Sequence, residues 1–276
     1  MKYLVTSATG DLAFQSVQFL LTLVNKNDVV VTVRDLEKAE KLKVLGVEIR
    51  QADYLDESSL VEAFTGVSRV LFISSGDLSS RARQHRNVVN ALISANVQFV
   101  AYTSAPKADQ STAIVAPDHK LTEELIMASG LNYAFLRNNW YLENEGMLFD
   151  AIEQKQPFVY VTGSGRAGWA KKSDYAEAAA RILAGVVPSK LIYELGGQPL
   201  TYPELADILQ GNREEKIALI PESAEEYAEQ LKSAGLPEEV IGFIIGIQKD
   251  IKNGQLDVPS DDLEVVLGRP LTELTI

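Results

Sequence analysis

Through its first half the chain alternates short, almost unbroken apolar runs with stretches of helical periodicity, a rhythm few folds accommodate. Tyr3 to Val5 reads as a strand and Ala13 to Val24 as a helix with one apolar stripe. Val29 to Val33, Glu48 to Ala52, Arg69 to Ile73, Gln98 to Tyr102 and Asn132 to Leu136 continue the strands. Helices are expected between them over Leu36 to Leu45, Glu57 to Phe64, Arg81 to Ala95 and Asp118 to Ala128. Strands apolar on both faces belong to a parallel sheet covered on both sides. Right-handed crossovers then make a doubly wound α/β parallel sheet the expected architecture, with ligands beyond the carboxyl ends of its strands.

After Arg137 the rhythm loosens. Phe158 to Thr162 and Ala167 to Ala170 read as a hairpin, followed by a helix capped by Ser173 and Asp174. Ile192 to Leu195 reads as a strand returning to the sheet. From Thr201 the chain is mostly helical and acidic, as in PESAEEYAEQ. The expected division is a main, doubly wound domain over residues 1–140, rejoined by roughly 170–197. A smaller, mostly helical C-terminal domain takes most of 141–276 and roofs the strand ends.

Composition narrows the chemistry. The 276 residues include no cysteine and only two histidines, His85 and His119. Disulfides, thiolate nucleophiles and Cys- or His-rich metal centres are thereby excluded, so any redox chemistry would rest on a bound organic cofactor. Twenty-six Lys+Arg against 38 Asp+Glu give a net charge of -12, which argues against nucleic acid or an anionic membrane surface as partner. No apolar run approaches the roughly 18 residues of a membrane span. The apolar stretch in MKYLVTSATG is too short for a secretory signal. A cytoplasmic monomer or small homo-oligomer is expected.

The first strand–helix turn is Thr6-Ser7-Ala8-Thr9-Gly10-Asp11-Leu12-Ala13. Dinucleotide folds place glycines here for a tight turn, for close approach to pyrophosphate and for helix packing. Only Gly10 remains; Ser7 and Ala13 occupy the other two glycine places, and the Ser7 side chain stands where backbone should meet phosphate. An ordinary polar turn is the competing reading. Thr9 to Leu12 and the helix N-terminus would hold the pyrophosphate. Arg34, about twenty residues on, suits a 2′-phosphate by bidentate pairing, with Lys38 one helical turn further to assist. Asp11 and Asp35 pull the other way, so NADPH is expected with NADH the alternative.

Strand ends supply further candidates for the cofactor crevice: Asp53 and Tyr54; Ser74, Ser75 and Gly76; Tyr102, Thr103 and Ser104. Asn138, Trp140 and Tyr141, where the chain leaves the sheet after Arg137, look like a substrate surface. His119 is a candidate proton donor or clamp, whereas His85 reads as part of a solvated or capping helix start. Gly163-Ser164-Gly165-Arg166-Ala167-Gly168 is a formal G-x-G-x-x-G, but an extended segment follows it, so it reads as a loop, with Arg166 and Trp169 candidates to line the cleft.

TSATGDLA, VTVRDLEKA and VEIRQADYLDESSLVEAFTGV together resemble the NmrA-like branch of the short-chain dehydrogenases/reductases. VLFISS, QHRNVVNALISANVQFVAYTS, YAFLRNNWYLEN and GQLDVPSDDLEVVLGRPLTEL extend the likeness over the whole chain, toward the bacterial NAD(P)H:quinone oxidoreductases and triphenylmethane reductase. The family turn reads TGATGQLG, so Ser7, Asp11 and Ala13 depart from it. The resemblance implies a Rossmann NAD(P)-binding domain, a smaller C-terminal substrate domain and NADPH as cofactor; with no flavin motif evident and no metal expected, direct hydride transfer to a quinone or similar conjugated acceptor is the expected reaction. His119 lies near where related reductases keep a catalytic lysine. A non-catalytic NADP(H)-sensing regulator and a relative with impaired dinucleotide binding are the alternatives.

Overall fold

The computed structural model describes residues 1–276. Strands β1 (Tyr3–Val5), β2 (Val29–Val33), β3 (Glu48–Gln51), β4 (Arg69–Phe72), β5 (Phe99–Ser104) and β6 (Asn132–Asn138) alternate with five helices. These are α1 (Asp11–Leu23), α2 (Glu40–Leu45), α3 (Glu57–Phe64), α4 (Arg81–Ser94) and α5 (Ala116–Ala128). Then come α6 (Gly146–Gln154), β7 (Phe158–Tyr160), α7 (Lys172–Ala184), β8 (Ile192–Leu195), α8 (Tyr202–Gln210) and β9 (Leu219–Pro221). Helices α9 (Ala224–Ser233), α10 (Glu238–Lys252) and α11 (Asp262–Leu267) complete the chain.

Seven strands form one sheet in the order β3-β2-β1-β4-β5-β6-β8, every pair parallel. The order reverses between β1 and β4, and the loops after those strands part there to leave a crevice. All five residues of β2 are buried, as a sheet covered on both faces requires. On one face α1 and α7 pack together; Ala176, Ala178, Ala179 and Ala180 give α7 a small-residue surface. On the other face lie α3 and α4, over Leu60, Phe64, Val88 and Leu92. A separate cluster around Leu148, Trp169, Tyr202, Leu205 and Ile251 forms the smaller body over the strand ends.

Three expectations change here. Leu36 to Leu45 divides into a short 3-10 turn, whose start is capped by the Asp35 carboxylate accepting the Glu37 N–H, and α2. Phe158 to Thr162 and Ala167 to Ala170 do not form a hairpin. β7 pairs in parallel with β9, and Ala167 bridges to Leu200. Apolar runs around a Gly/Ser loop satisfy a local hairpin pattern, but here non-local partners take the backbone bonds. Ser173 and Asp174 do not cap α7, whose N-cap is Lys171. Asp174 lies fully buried in the first turn and accepts hydrogen bonds from Thr272 and Arg269, fastening the C-terminal tail.

Candidate functional site

A cleft of about 520 Å³ opens over the switch between β1 and β4. Ser7, Thr9, Gly10, Asp11 and Leu12 line it from the first turn, and Arg34, Asp53 and Tyr54 from the ends of β2 and β3. Ser74, Ser75 and Gly76 line it from β4. Gly10 is the extended N-cap of α1 and no side chain caps the helix, so the first-turn N–H groups face the cleft. Arg34 stands exposed with no carboxylate partner. Asp35 is turned to its capping role. Asp11 is paired with Lys172, Nζ 3.4 Å from Oδ2, and Lys172 also lines the cleft. The two carboxylates that argued against a phosphate are thus occupied or offset.

Ser7 adopts φ 53°, in the left-handed region where a glycine rests without strain. Its carbonyl accepts the Gly10 N–H at 2.9 Å, closing the turn. A serine there carries about 1–2 kcal/mol of strain, offset in part by glycine's larger unfolded-state entropy. Ser7→Gly is therefore expected to raise the melting temperature by about 1–3 °C and to tighten dinucleotide binding. A lower melting temperature would show that the hydroxyl holds the turn. Ala13 is buried in the core, where its methyl fits between α1 and the sheet.

Several expected contacts fall elsewhere. Lys38 does not line the cleft. Thr6 is fully buried and works as a staple: its hydroxyl accepts from the Ile73 N–H at 2.9 Å and from Tyr54 Oη at 2.5 Å. The Ile73 carbonyl oxygen lies 2.8 Å from the same Tyr54 Oη and shares its proton, so the hydroxyl braces the turn while the residue borders the cleft. Tyr102 is fully buried and faces the α4–α5 side, because alternate residues of a strand point to opposite faces. Arg166 pairs with Glu204 on the surface, and Trp169 is buried against Tyr202, so neither lines the cleft. Gly165 and Gly168 beside them serve packing: a Cβ would stand 2.3 Å from the Ile251 carbonyl oxygen at the first and 2.7 Å from the Gly197 carbonyl oxygen at the second.

Beside the cleft a second cavity of about 500 Å³ lies between the strand ends and the smaller body. Thr103, Ser104, Asn138, Trp140, Tyr141 and His119 line it, facing Phe158, Phe243, Ile244 and Leu256. Its far wall is fixed by Glu145, a buried carboxylate that accepts from Trp140 Nε1, Trp169 Nε1 and Tyr202 Oη at 3.0, 2.8 and 2.9 Å. Burial pushes the Glu145 carboxyl upward despite those three donors. Ser74, Tyr141 and Asn144 line both spaces, so cleft and cavity meet there.

The sequence reading missed Lys172, Gln84, Arg81, Asn144 and Glu145; Gln84 and Asn144 lie in segments that carry the resemblance, but nothing in the letters marks them as lining a site. It also misplaced His85, which is not solvated. His85 has no exposed surface; its Nε2 accepts the Ser75 N–H at 2.9 Å and its Nδ1 lies 2.8 Å from Thr122 Oγ1. The polar string from Arg81 to Arg86 looks like a surface, but α4 starts under the β4 loop, which buries Arg81, Gln84 and His85 and leaves Arg83 and Arg86 exposed. Three shut-in polar atoms around the two spaces lack any partner: Gln84 Oε1, Arg81 Nη1 and Asn138 Oδ1. Unsatisfied buried groups of this kind are rare and mark places a ligand would complete.

A sequence model of the NmrA-like family matches residues 1–272. Quinone oxidoreductase 2 of Escherichia coli K12 is 36% identical over 271 residues, spanning 98% of this chain and 95% of the relative. Among solved structures, the E. coli NADPH-dependent quinone oxidoreductase complexed with NADPH superposes with TM-score 0.93 at 36% identity, covering 99% of this chain and 96% of that one. Triphenylmethane reductase of Citrobacter sp., complexed with NADP(H), gives TM-score 0.92 at 36% identity, covering 99% and 97%.

Proposed function

The chain belongs to the NmrA-like family, and from that premise we propose that it is an NADPH-dependent oxidoreductase that reduces a quinone or similar conjugated acceptor directly, without flavin or metal. The observation that carries the reading is the junction at Ser74, Tyr141 and Asn144, where a polar cleft with an open helix N-terminus meets a largely apolar cavity. The cleft fits the cofactor: the N–H groups of the α1 start and Lys172 suit a pyrophosphate, and unpaired Arg34 suits a 2′-phosphate. Asp53 borders the adenosine end. Bound there, NADPH would supply a hydride to an acceptor in the neighbouring cavity.

The protein's own work is then orientation and exclusion of water. Phe243, Ile244 and Leu256 from the C-terminal segment close the cavity on its apolar side. Asn138, whose Nδ2 donates to Tyr141 Oη at 2.9 Å, holds that ring at the junction. No helix is long and apolar enough to cross a membrane.

The test is NADPH and NADH binding by fluorescence titration, followed by NADPH oxidation with simple quinones. Binding that favours NADPH, with turnover, is expected. Tight binding without turnover across several acceptors would turn the reading to a sensor, and no binding would remove both.

A further inference from the structure

Arg81 is a cation in an unusual place. It is 7% exposed, lines the cavity, and forms no ion pair. Its Nε donates to the Ser75 carbonyl at 2.7 Å, which fixes the guanidinium, while Nη1 is shut from solvent with no acceptor. The other arginine buried to this degree, Arg137, is paired with Glu123. A buried charge left without a hydrogen-bonded counter-charge is costly and calls for an explanation, and an anionic group in the cavity it lines would supply one.

His119 lies in the same cavity wall, and a hydrogen-bond chain sets its proton. The Ser75 N–H donates to His85 Nε2, so neutral His85 carries its proton on Nδ1 and donates to Thr122 Oγ1. Thr122 passes its own proton to the Asp118 carbonyl at 2.7 Å. Tyr102 Oη sits between the two rings, 3.4 Å from His85 Nδ1 and 2.8 Å from His119 Nδ1. Since His85 Nδ1 already bears a proton, the tyrosine donates to His119 Nδ1. Neutral His119 therefore holds its proton on Nε2, the nitrogen left free of protein partners.

We propose that Arg81 and the Nε2–H of His119 form the oxyanion site of this cavity, receiving the negative oxygen that develops on a quinone-type acceptor as it is reduced. This rests on the quinone-reductase reading. The balance is simple: a hydride, one proton with two electrons, converts the quinone to the hydroquinone monoanion as NADPH becomes NADP⁺. A solvent proton then completes the hydroquinone. The charge that needs stabilising is an aryl oxyanion, and preorganised donors in a dry site do this best. His119 acts as a neutral donor and not as an acid. The groups around it are Arg81 and His85 from α4, Tyr102 from β5 and Asp118 on its own helix, with Asp77 acting on Arg81 through space. Burial, with the Arg81 charge, pushes His119 down to about 3, so it stays neutral at every working pH.

The first experiment needs no hydride transfer. 4-Nitrophenol is titrated with the full-length protein and its phenolate absorbance followed against pH. The wild type is expected to lower the apparent pKa of the bound phenol by about one unit or more. Arg81→Gln should abolish that shift, and Arg81→Lys should restore part of it. In steady-state assays with a quinone, Arg81→Gln should lower kcat about 100-fold or more with the NADPH Kd unchanged, which also reports that the variant is folded. His119→Gln should cost about 10-fold. The wild-type kcat should stay level over roughly pH 6 to 8, whereas a histidine acid would lose activity as pH rises through its pKa. Equal phenol titration in wild type and Arg81→Gln, or wild-type turnover by that variant, would overturn the proposal. A phenolate shift that depends on Arg81 in a protein that oxidises NADPH with no quinone would keep the oxyanion site and sink the quinone reading alone.

Discussion

Arg137→Ala is expected to cost about 3–5 kcal/mol of stability, read as a lower midpoint in chemical denaturation. Arg137 is 5% exposed at the end of β6. Its Nε and Nη2 donate to the two oxygens of Glu123 at 2.9 and 2.6 Å, a bidentate pair. Its Nη1 reaches Glu194 at 3.0 Å and Asp109 at 2.7 Å. Burial works against the guanidinium's charge, but its hydrogen bonds with Glu123 and Glu194 outweigh that and hold it above the usual arginine range. Glu123 is 2% exposed, and once the arginine is gone only the Ser104 hydroxyl still donates to it. The loss comes mainly from that stranded carboxylate, so the double variant Arg137→Ala with Glu123→Ala should recover a large part of it. A single-variant loss below about 1 kcal/mol, typical of exposed pairs, would show that the cluster relaxes into water.

Arg34→Glu is expected to weaken NADPH by about 100-fold or more while changing NADH little. A bidentate, charge-assisted pair with phosphate contributes about 1.5–3 kcal/mol, and like-charge repulsion adds to its loss; 2.7 kcal/mol corresponds to a factor of about 100. The other cations nearby are accounted for: Lys38 lies outside the cleft, Lys172 is paired with Asp11 and Arg50 with Glu48. Paired fluorescence titrations at fixed ionic strength provide the measurement. An equal loss for NADPH and NADH would mean that Arg34 acts on the whole dinucleotide and reads no 2′-phosphate.

Much of this arrangement was legible along the chain. The continuous apolar runs such as VVVTV announced strands buried on both faces, and β2 is so buried. The position of TSATGDLA between β1 and α1 located the cleft, because a turn at that point is local in sequence. Less visible was the meaning of single residues. Asp11 looked like an obstacle until Lys172, 161 residues away, was found beside it. Tyr102 and Thr103 are neighbours in sequence, yet one faces the α4–α5 core and the other the cavity. The strand pair β7–β9 joins segments some sixty residues apart, while local pattern suggested a hairpin.

The layered α/β architecture, the site of the first turn and the absence of thiol chemistry are already present in the order of the residues. These follow from local periodicity and composition, which need no knowledge of partners. Tertiary structure alone decided which polar groups are satisfied and which are left wanting. Arg81, His85, Arg137 and Glu145 are indistinguishable from surface residues in a string of letters, since burial and charge pairing are set by groups distant in the chain. Of these, Arg137 and Glu145 found partners in the fold, His85 found a tautomer, and Arg81 was left facing the cavity without an anion.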